Sequence, residues 1–158
     1  MPGIPQLGRR GGGWVVLQFA LIALAVVLGV VAPSWPDAAS GVRTAVAVAL
    51  VVAGAWVAAL SARALGSSLT PFPHPAGGET FVAHGPYRIV RHPIYSGGIL
   101  FLAGVSLLLS PWTLVVTGAL AVLWALKSRV EERFLHDRYP GYAAYCESTP
   151  FRLVPFVY

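Results

Sequence analysis

The stretch VVLQFALIALAVVLGVVA, residues 15–32, decides the fold: it carries no charged residue, follows Arg9 and Arg10, and is closed by Pro33 and Pro36. At about 1.5 Å per helical residue, such a run nearly matches a hydrocarbon layer about 30 Å thick. A second run, TAVAVALVVAGAWVAAL at 44–60, repeats the pattern. Further out, the runs 97–109 and 112–126 are shorter, and Ser110-Pro111 between them is a turn signal that makes them a helical hairpin. Extended outward through Ile94 and Lys127 they gain length. The expectation is an all-α integral membrane protein with about four transmembrane helices, at 14–32, 44–60, 94–109 and 112–127, in a single domain covering 1–158. A re-entrant hairpin is the alternative for the last two. Trp14, Trp35 and Trp112 sit at segment ends, where indole favours the headgroup region.

Composition agrees with this reading. Hydrophobic residues make up 56% and charged ones only 11%, against roughly a quarter charged in an ordinary soluble domain. The net charge of +5 does not point to nucleic acid, because the basic residues are scattered beside apolar spans rather than gathered in one stripe. Membrane lipids are the better partner. Arg9 and Arg10 before an apolar run have the charge order of a signal peptide. The run is longer than a usual signal core, however, and prolines rather than a small-residue cleavage site follow it, so a retained helix is expected. The single cysteine, Cys146, has no internal disulfide partner and no His or Lys beside it in sequence, and is expected to be a small apolar residue. Of the eleven Lys and Arg residues, all but Arg43 fall on one side of this topology. The positive-inside rule then places both termini and the 61–93 connection in the cytoplasm, at an inner or plasma membrane.

The polar residues gather in two places. The connection contains LTPFPHPAGG at 69–78, too rich in proline and glycine to be helical, and then HGPYRIVRHPIYSGG at 84–98 at the mouth of the third helix. Two arginines, two histidines and two tyrosines there can grip an anionic or flat ligand, or equally anchor the chain among headgroups. The second cluster is KSRVEE at 127–132. Successive helix positions differ by about 100°, so Glu131 and Glu132 face different directions, one of them inward. An inward carboxylate at a membrane boundary needs a cation or hydrogen-bond donors, for which Lys127 and Arg129 are at hand. The pattern at 130, 134 and 135 reads as an amphipathic helix leaving the membrane and ending at Pro140-Gly141. The four histidines show no metal-ligand spacing on one helix, so no metal site is expected.

At these clusters the chain resembles the isoprenylcysteine carboxyl methyltransferases and, at greater distance, the phospholipid N-methyltransferases. The resemblance runs over about 65–155 and rests on Gly85-Pro-Tyr-Arg-x-x-Arg-His-Pro-x-Tyr-x-Gly97, on Glu131-Glu132-x-x-Leu135, and on Tyr142-x-x-Tyr145 with Arg152 and Pro155. It implies an S-adenosylmethionine pocket on the cytoplasmic side, formed by the loop before the third helix and the C-terminal segment. Carried over by position, Glu79, Thr80, Phe81 and Val82 line the cofactor, Tyr87, His92, Pro93, Ile94 and Tyr95 enclose it, and Glu131 hydrogen-bonds it, with Glu132 beside it. Glu132 is expected to matter less if it faces solvent or headgroups. Lys127 stands where the resemblance implies a substrate-facing arginine, and it shares that role with Arg129. The reaction implied is methyl transfer to a lipophilic acceptor: a carboxylate, thiol or amine. The ending YCESTPFRLVP at 145–155 also resembles the C-terminus of NADPH-dependent sterol reductases, and a non-catalytic membrane scaffold is a third reading.

Overall fold

A computed structural model describes residues 11–36, 40–74 and 81–157. Among them there are helices and turns but no strands. The five α-helices are α1 (Gly12–Val31), α2 (Ser40–Leu65), α3 (Pro93–Leu109), α4 (Pro111–Arg138) and α5 (Tyr142–Ser148), with short 3-10 turns at Gly66–Ser68 and Gly85–Arg88. Helices α1, α2 and α4 are long and apolar enough to cross a membrane, and α3 is a shorter apolar helix. Val16, Phe19, Val27, Val52, Trp56, Val115 and Val122 are all more than half exposed. That outward apolar surface belongs against lipid tails.

The local signals explain the boundaries. Pro93 and Pro111 open α3 and α4 at first-turn positions, where a missing N–H costs nothing, and Ser110 caps α4 by accepting from Trp112 N at 3.3 Å. The α3–α4 turn and the end of α1 meet: Ser110 Oγ donates to Pro33 O at 2.8 Å, and Trp35 Nε1 donates to Ser106 O at 2.8 Å. The hairpin thus reaches the far end of α1. Arg43 is at that end too, its guanidinium on Pro36 O.

Two expectations are corrected. The fourth segment and the amphipathic helix after it are one continuous helix of 28 residues, about 42 Å long at the standard rise, so its last part projects beyond the hydrocarbon layer. Trp14 does not sit among headgroups. It is 3% exposed and packs with Leu120, Leu123 and Trp124 in the core that joins α1 to α4.

Helices α2 and α3 approach through small residues. A Cβ built on Gly54 would lie 2.3 Å from Phe101 N, one on Gly97 would lie 2.7 Å from Ala58 N, and one on Gly104 would lie 2.6 Å from Ala47 O. The pairs Ala47/Gly54 and Gly97/Gly104 are each one heptad apart, so two small-residue stripes run antiparallel and bring backbone onto backbone. This contact fixes where the start of α3 stands at the end of the bundle. Gly54→Leu should therefore destabilise the detergent-solubilised protein by at least the ~3 kcal/mol upper range of overpacking. Gly118→Leu, at a helical glycine whose added Cβ meets nothing within 4 Å, should change thermal unfolding little. Equal midpoints for the two variants would contradict the packing described.

Candidate active site

The site lies where the end of α2, the start of α3 and the projecting part of α4 converge. Its foundation is Glu132, 7% exposed. Glu132 Oε1 accepts from Arg91 Nε at 2.7 Å and lies 3.3 Å from His92 Nε2, while Oε2 accepts from Arg152 Nη2 at 2.7 Å and Nε at 3.0 Å. Three cationic groups from two distant segments thus meet one carboxylate. Backbone bonds reinforce the arrangement: Arg91 N donates to Phe151 O at 2.9 Å and His92 N to Arg152 O at 3.0 Å. Arg91 Nη1 reaches Thr149 O and Pro150 O, and Ser96 Oγ donates to Leu153 O. The segment 149–153 is thereby strapped across the start of α3, and the irregular backbone there is satisfied.

One residue back, Glu131 faces the other way. Tyr95 Oη donates to Glu131 Oε1 at 2.5 Å, His92 Nδ1 is 3.4 Å from Oε2, and Lys127 Nζ is 3.9 Å from Oε1. His92 therefore has a carboxylate at each ring nitrogen, an arrangement suited to the doubly protonated ring, which donates from both. Burial works against that charge, but Glu131 and Glu132 outweigh it and raise the His92 pKa above the ordinary histidine value. The rings of His92, Tyr95 and Trp124 stack in sequence, with centroids 5.8 and 5.4 Å apart. Gly98 makes room for this stack, since a Cβ there would be 2.9 Å from Trp124 Cη2.

These groups border a cavity of about 480 Å³, within the range of small-molecule and cofactor sites. Thr70, Pro71 and Phe72 of the proline-rich connection form one wall. Phe81, Tyr87, Tyr142 and Tyr145 form an aromatic wall on the outer side. Phe81 packs on Tyr142 and Tyr145 with ring centroids 5.3 and 5.2 Å apart, and Tyr145 Oη donates to Tyr87 O at 2.7 Å. Burial first, then neighbouring acidic groups (Tyr145 and Glu131 at Tyr87, Glu132 and Cys146 at Tyr142, Cys146 at Tyr145), pushes these three hydroxyls well above their ordinary pKa, so they stay neutral donors.

Of the residues expected from sequence, Phe81, Val82, Tyr87, His92, Ile94, Tyr95, Lys127 and Glu131 line the cavity. Glu79 and Thr80 lie outside the described residues. Pro93 is buried as the first residue of α3, behind the lining. Glu132 lies outside the lining and is buried rather than facing solvent or headgroups, because the helix phase that turns Glu131 to the cavity turns Glu132 to Arg91, His92 and Arg152. Arg129 is exposed and outside the lining, whereas Lys127 is 0% exposed and within it. A headgroup-anchor role fails for His92 and Tyr87, which are 8% and 7% exposed. Cys146 Sγ lies 3.9 Å from His136 Nε2, a neighbour that the sequence separation concealed. Sequence reasoning missed Gln18, Trp124 and the part Arg91 plays; the first two sit inside apolar runs with no polar company.

Fold and site together define an integral membrane helical bundle with a cofactor-sized, polar-floored cavity at one end. The chain belongs to the phospholipid methyltransferase family, whose model matches residues 42–141. It is also similar to the cobalt-zinc-cadmium resistance protein CzcN of Cupriavidus metallidurans, with 37% identity over 76 residues, 46% of this chain and 34% of that protein. The chain thus spans about a third of the length of that curated relative.

The two carboxylates predict stability losses of different size. Glu132→Gln leaves Arg91, Arg152 and His92 around a neutral amide and should cost about 3 kcal/mol of stability, the scale for breaking a buried ion pair by removing one partner. Glu131→Gln should lower the thermal midpoint much less. A Glu132→Gln midpoint equal to the parent's would remove Glu132 from the centre of the site.

Proposed function

We propose that this protein transfers a methyl group from S-adenosylmethionine to a lipophilic acceptor at the cytoplasmic face of the membrane. The observation that carries the reading is the cavity at the bundle end, where His92, Tyr95, Lys127 and Glu131 meet an aromatic wall. Family membership supports methyl transfer on lipophilic substrates. The donor set suits the cofactor's chemistry: a carboxylate for an ammonium or ribose hydroxyl, aromatic faces for a sulfonium and a flat base, and neutral phenols as hydrogen-bond donors.

When bound, S-adenosylmethionine supplies an electrophilic methyl group, so the chain has no difficult bond to activate. Its residues bind, orient and exclude water. The Glu132 cluster holds His92, His92 and Tyr95 hold the Glu131 carboxylate, and the strap at 149–153 keeps the start of α3 in place. Fixing donor and acceptor in line replaces a bimolecular encounter by a positioned one. Placement at the membrane boundary lets a water-soluble cofactor and a lipid-soluble acceptor approach from different phases. The cytoplasmic assignment rests on the distribution of Lys and Arg.

Glu131→Gln keeps the side-chain size but removes the charge, so S-adenosylmethionine affinity should fall by the worth of charge-assisted hydrogen bonds, roughly 1 to 3 kcal/mol or one to two orders in Kd. Isothermal titration of the detergent-solubilised protein measures it. Unchanged affinity in a folded Glu131→Gln variant would mean that the cofactor does not occupy this cavity.

A further inference from the structure

The strap runs on past the cavity. Phe151 O, Arg152 O and Leu153 O accept in turn from Arg91 N, His92 N and Ser96 Oγ, so the segment descends in parallel with the entry to α3 and its first turn. Helix α3 has 17 residues, about 26 Å at the standard rise, which is less than a hydrocarbon layer about 30 Å thick. Its other end meets the end of α1 through Ser110 and Pro33. The first turn of α3 therefore stands at the boundary of the layer, and the residues just after Leu153 are held within a few residues' reach of that level.

Those residues are Val154, Pro155, Phe156 and Val157, none of them charged. Val154, Phe156 and Val157 are 49%, 88% and 79% exposed. Val157 N donates to Val154 O at 3.2 Å, closing a turn with Pro155 in its second position and Phe156, at φ 66°, in its third. Proline followed by a positive φ is the type II pattern, whose third position ordinarily holds glycine or asparagine. Here it holds a phenylalanine. A strained backbone of this kind persists where the surroundings hold it in place. The ring of Phe156 touches that of Phe151, with centroids 5.2 Å apart, and that contact leaves most of the side chain uncovered.

We propose that the turn at 154–157 is an interfacial anchor: Phe156 and Val157 insert into the bilayer leaflet beside the start of α3 and hold the strap down on the site. Lipid is the occupant that the position selects, because the turn sits at the level of the membrane boundary and adds uncharged, outward apolar surface to a bundle already faced with it. Only two residues separate Leu153, bonded to Ser96, from Phe156. With so little slack, lifting the strap from α3 draws the aromatic ring out of the lipid. The inference needs the membrane-spanning bundle alone and is independent of the methyl-transfer reading.

Cys146 is the chain's one cysteine, so Phe156→Cys or Val157→Cys on a Cys146→Ser background gives a single point for a nitroxide label. Power saturation of the labelled full chain in phosphatidylcholine vesicles compares its access to oxygen, which concentrates in lipid, with its access to a water-soluble nickel chelate. Glu147→Cys on the exposed side of α5 and Val122→Cys on the outward face of α4 set the aqueous and lipid limits. Labels at 156 and 157 should share the oxygen-rich, nickel-poor signature of position 122, at a depth of about 5–10 Å into the headgroup and acyl boundary. The signature of position 147 would overturn the anchor, and so would low access to both reagents, the mark of contact with protein such as a second copy. The hold on the strap has its own readout. In vesicles, Phe156→Ser should speed hydrogen exchange of the Arg91 and His92 amides, which donate to the strap, roughly tenfold. Exchange there at the parent's rate would overturn the claim that the anchor holds the strap.

Discussion

The Glu132 carboxylate is the constraint on which the rest of the site depends. It gathers Arg91 and His92 from the start of α3 and Arg152 from the C-terminal strap onto one point of α4. An ion cluster of this kind is costly to bury unless every charge is matched and bonded. Here both carboxylate oxygens are used, and the arginine also satisfies carbonyls of the strap. With Glu132 fixed, the helical step of about 100° turns Glu131 into the cavity. With His92 fixed, its second ring nitrogen faces Glu131, and the ring begins the stack that continues through Tyr95 to Trp124. The cavity floor is thus set by a group that does not touch the cavity.

The membrane imposes the complementary constraint. Irregular backbone is tolerated only where its polar groups are satisfied by protein or water. Among the described residues the turns lie at the two ends of the bundle. At the far end, Ser110 and Trp35 satisfy carbonyls across the connections. At the near end the strap bonds to Arg91, His92 and Ser96. Between the ends, the glycine and alanine stripes of α2 and α3 hold backbone against backbone. Lipid supplies no hydrophobic drive between helices, so such close packing is what fixes their register.

Much of this was legible in the sequence, and the failures have physical causes. The apolar runs announced the helices because the bilayer sets their length, and the prolines at 93 and 111 marked the helix starts. Family-like positions from Phe81 to Tyr95 led to the cavity wall. Nothing local distinguishes adjacent glutamates, so only the resemblance singles out Glu131; the physical reason lies in Arg152, twenty residues on. Gln18 was invisible for a related reason. A lone amide in an apolar run has meaning only through Trp124 and Lys127, more than a hundred residues away. Trp14 was misplaced because a tryptophan at a segment end serves equally well in a core.

On the proposed function, the cavity at the bundle end takes S-adenosylmethionine rather than a nicotinamide dinucleotide. Parallel calorimetric titrations of the intact detergent-solubilised chain with S-adenosylmethionine and with NADPH test it most directly. Saturable binding of S-adenosylmethionine at one site per chain and no heat of binding from NADPH are expected. Saturable NADPH binding in place of S-adenosylmethionine would contradict it and favour the reductase reading of the C-terminal segment; binding of neither would leave a membrane scaffold.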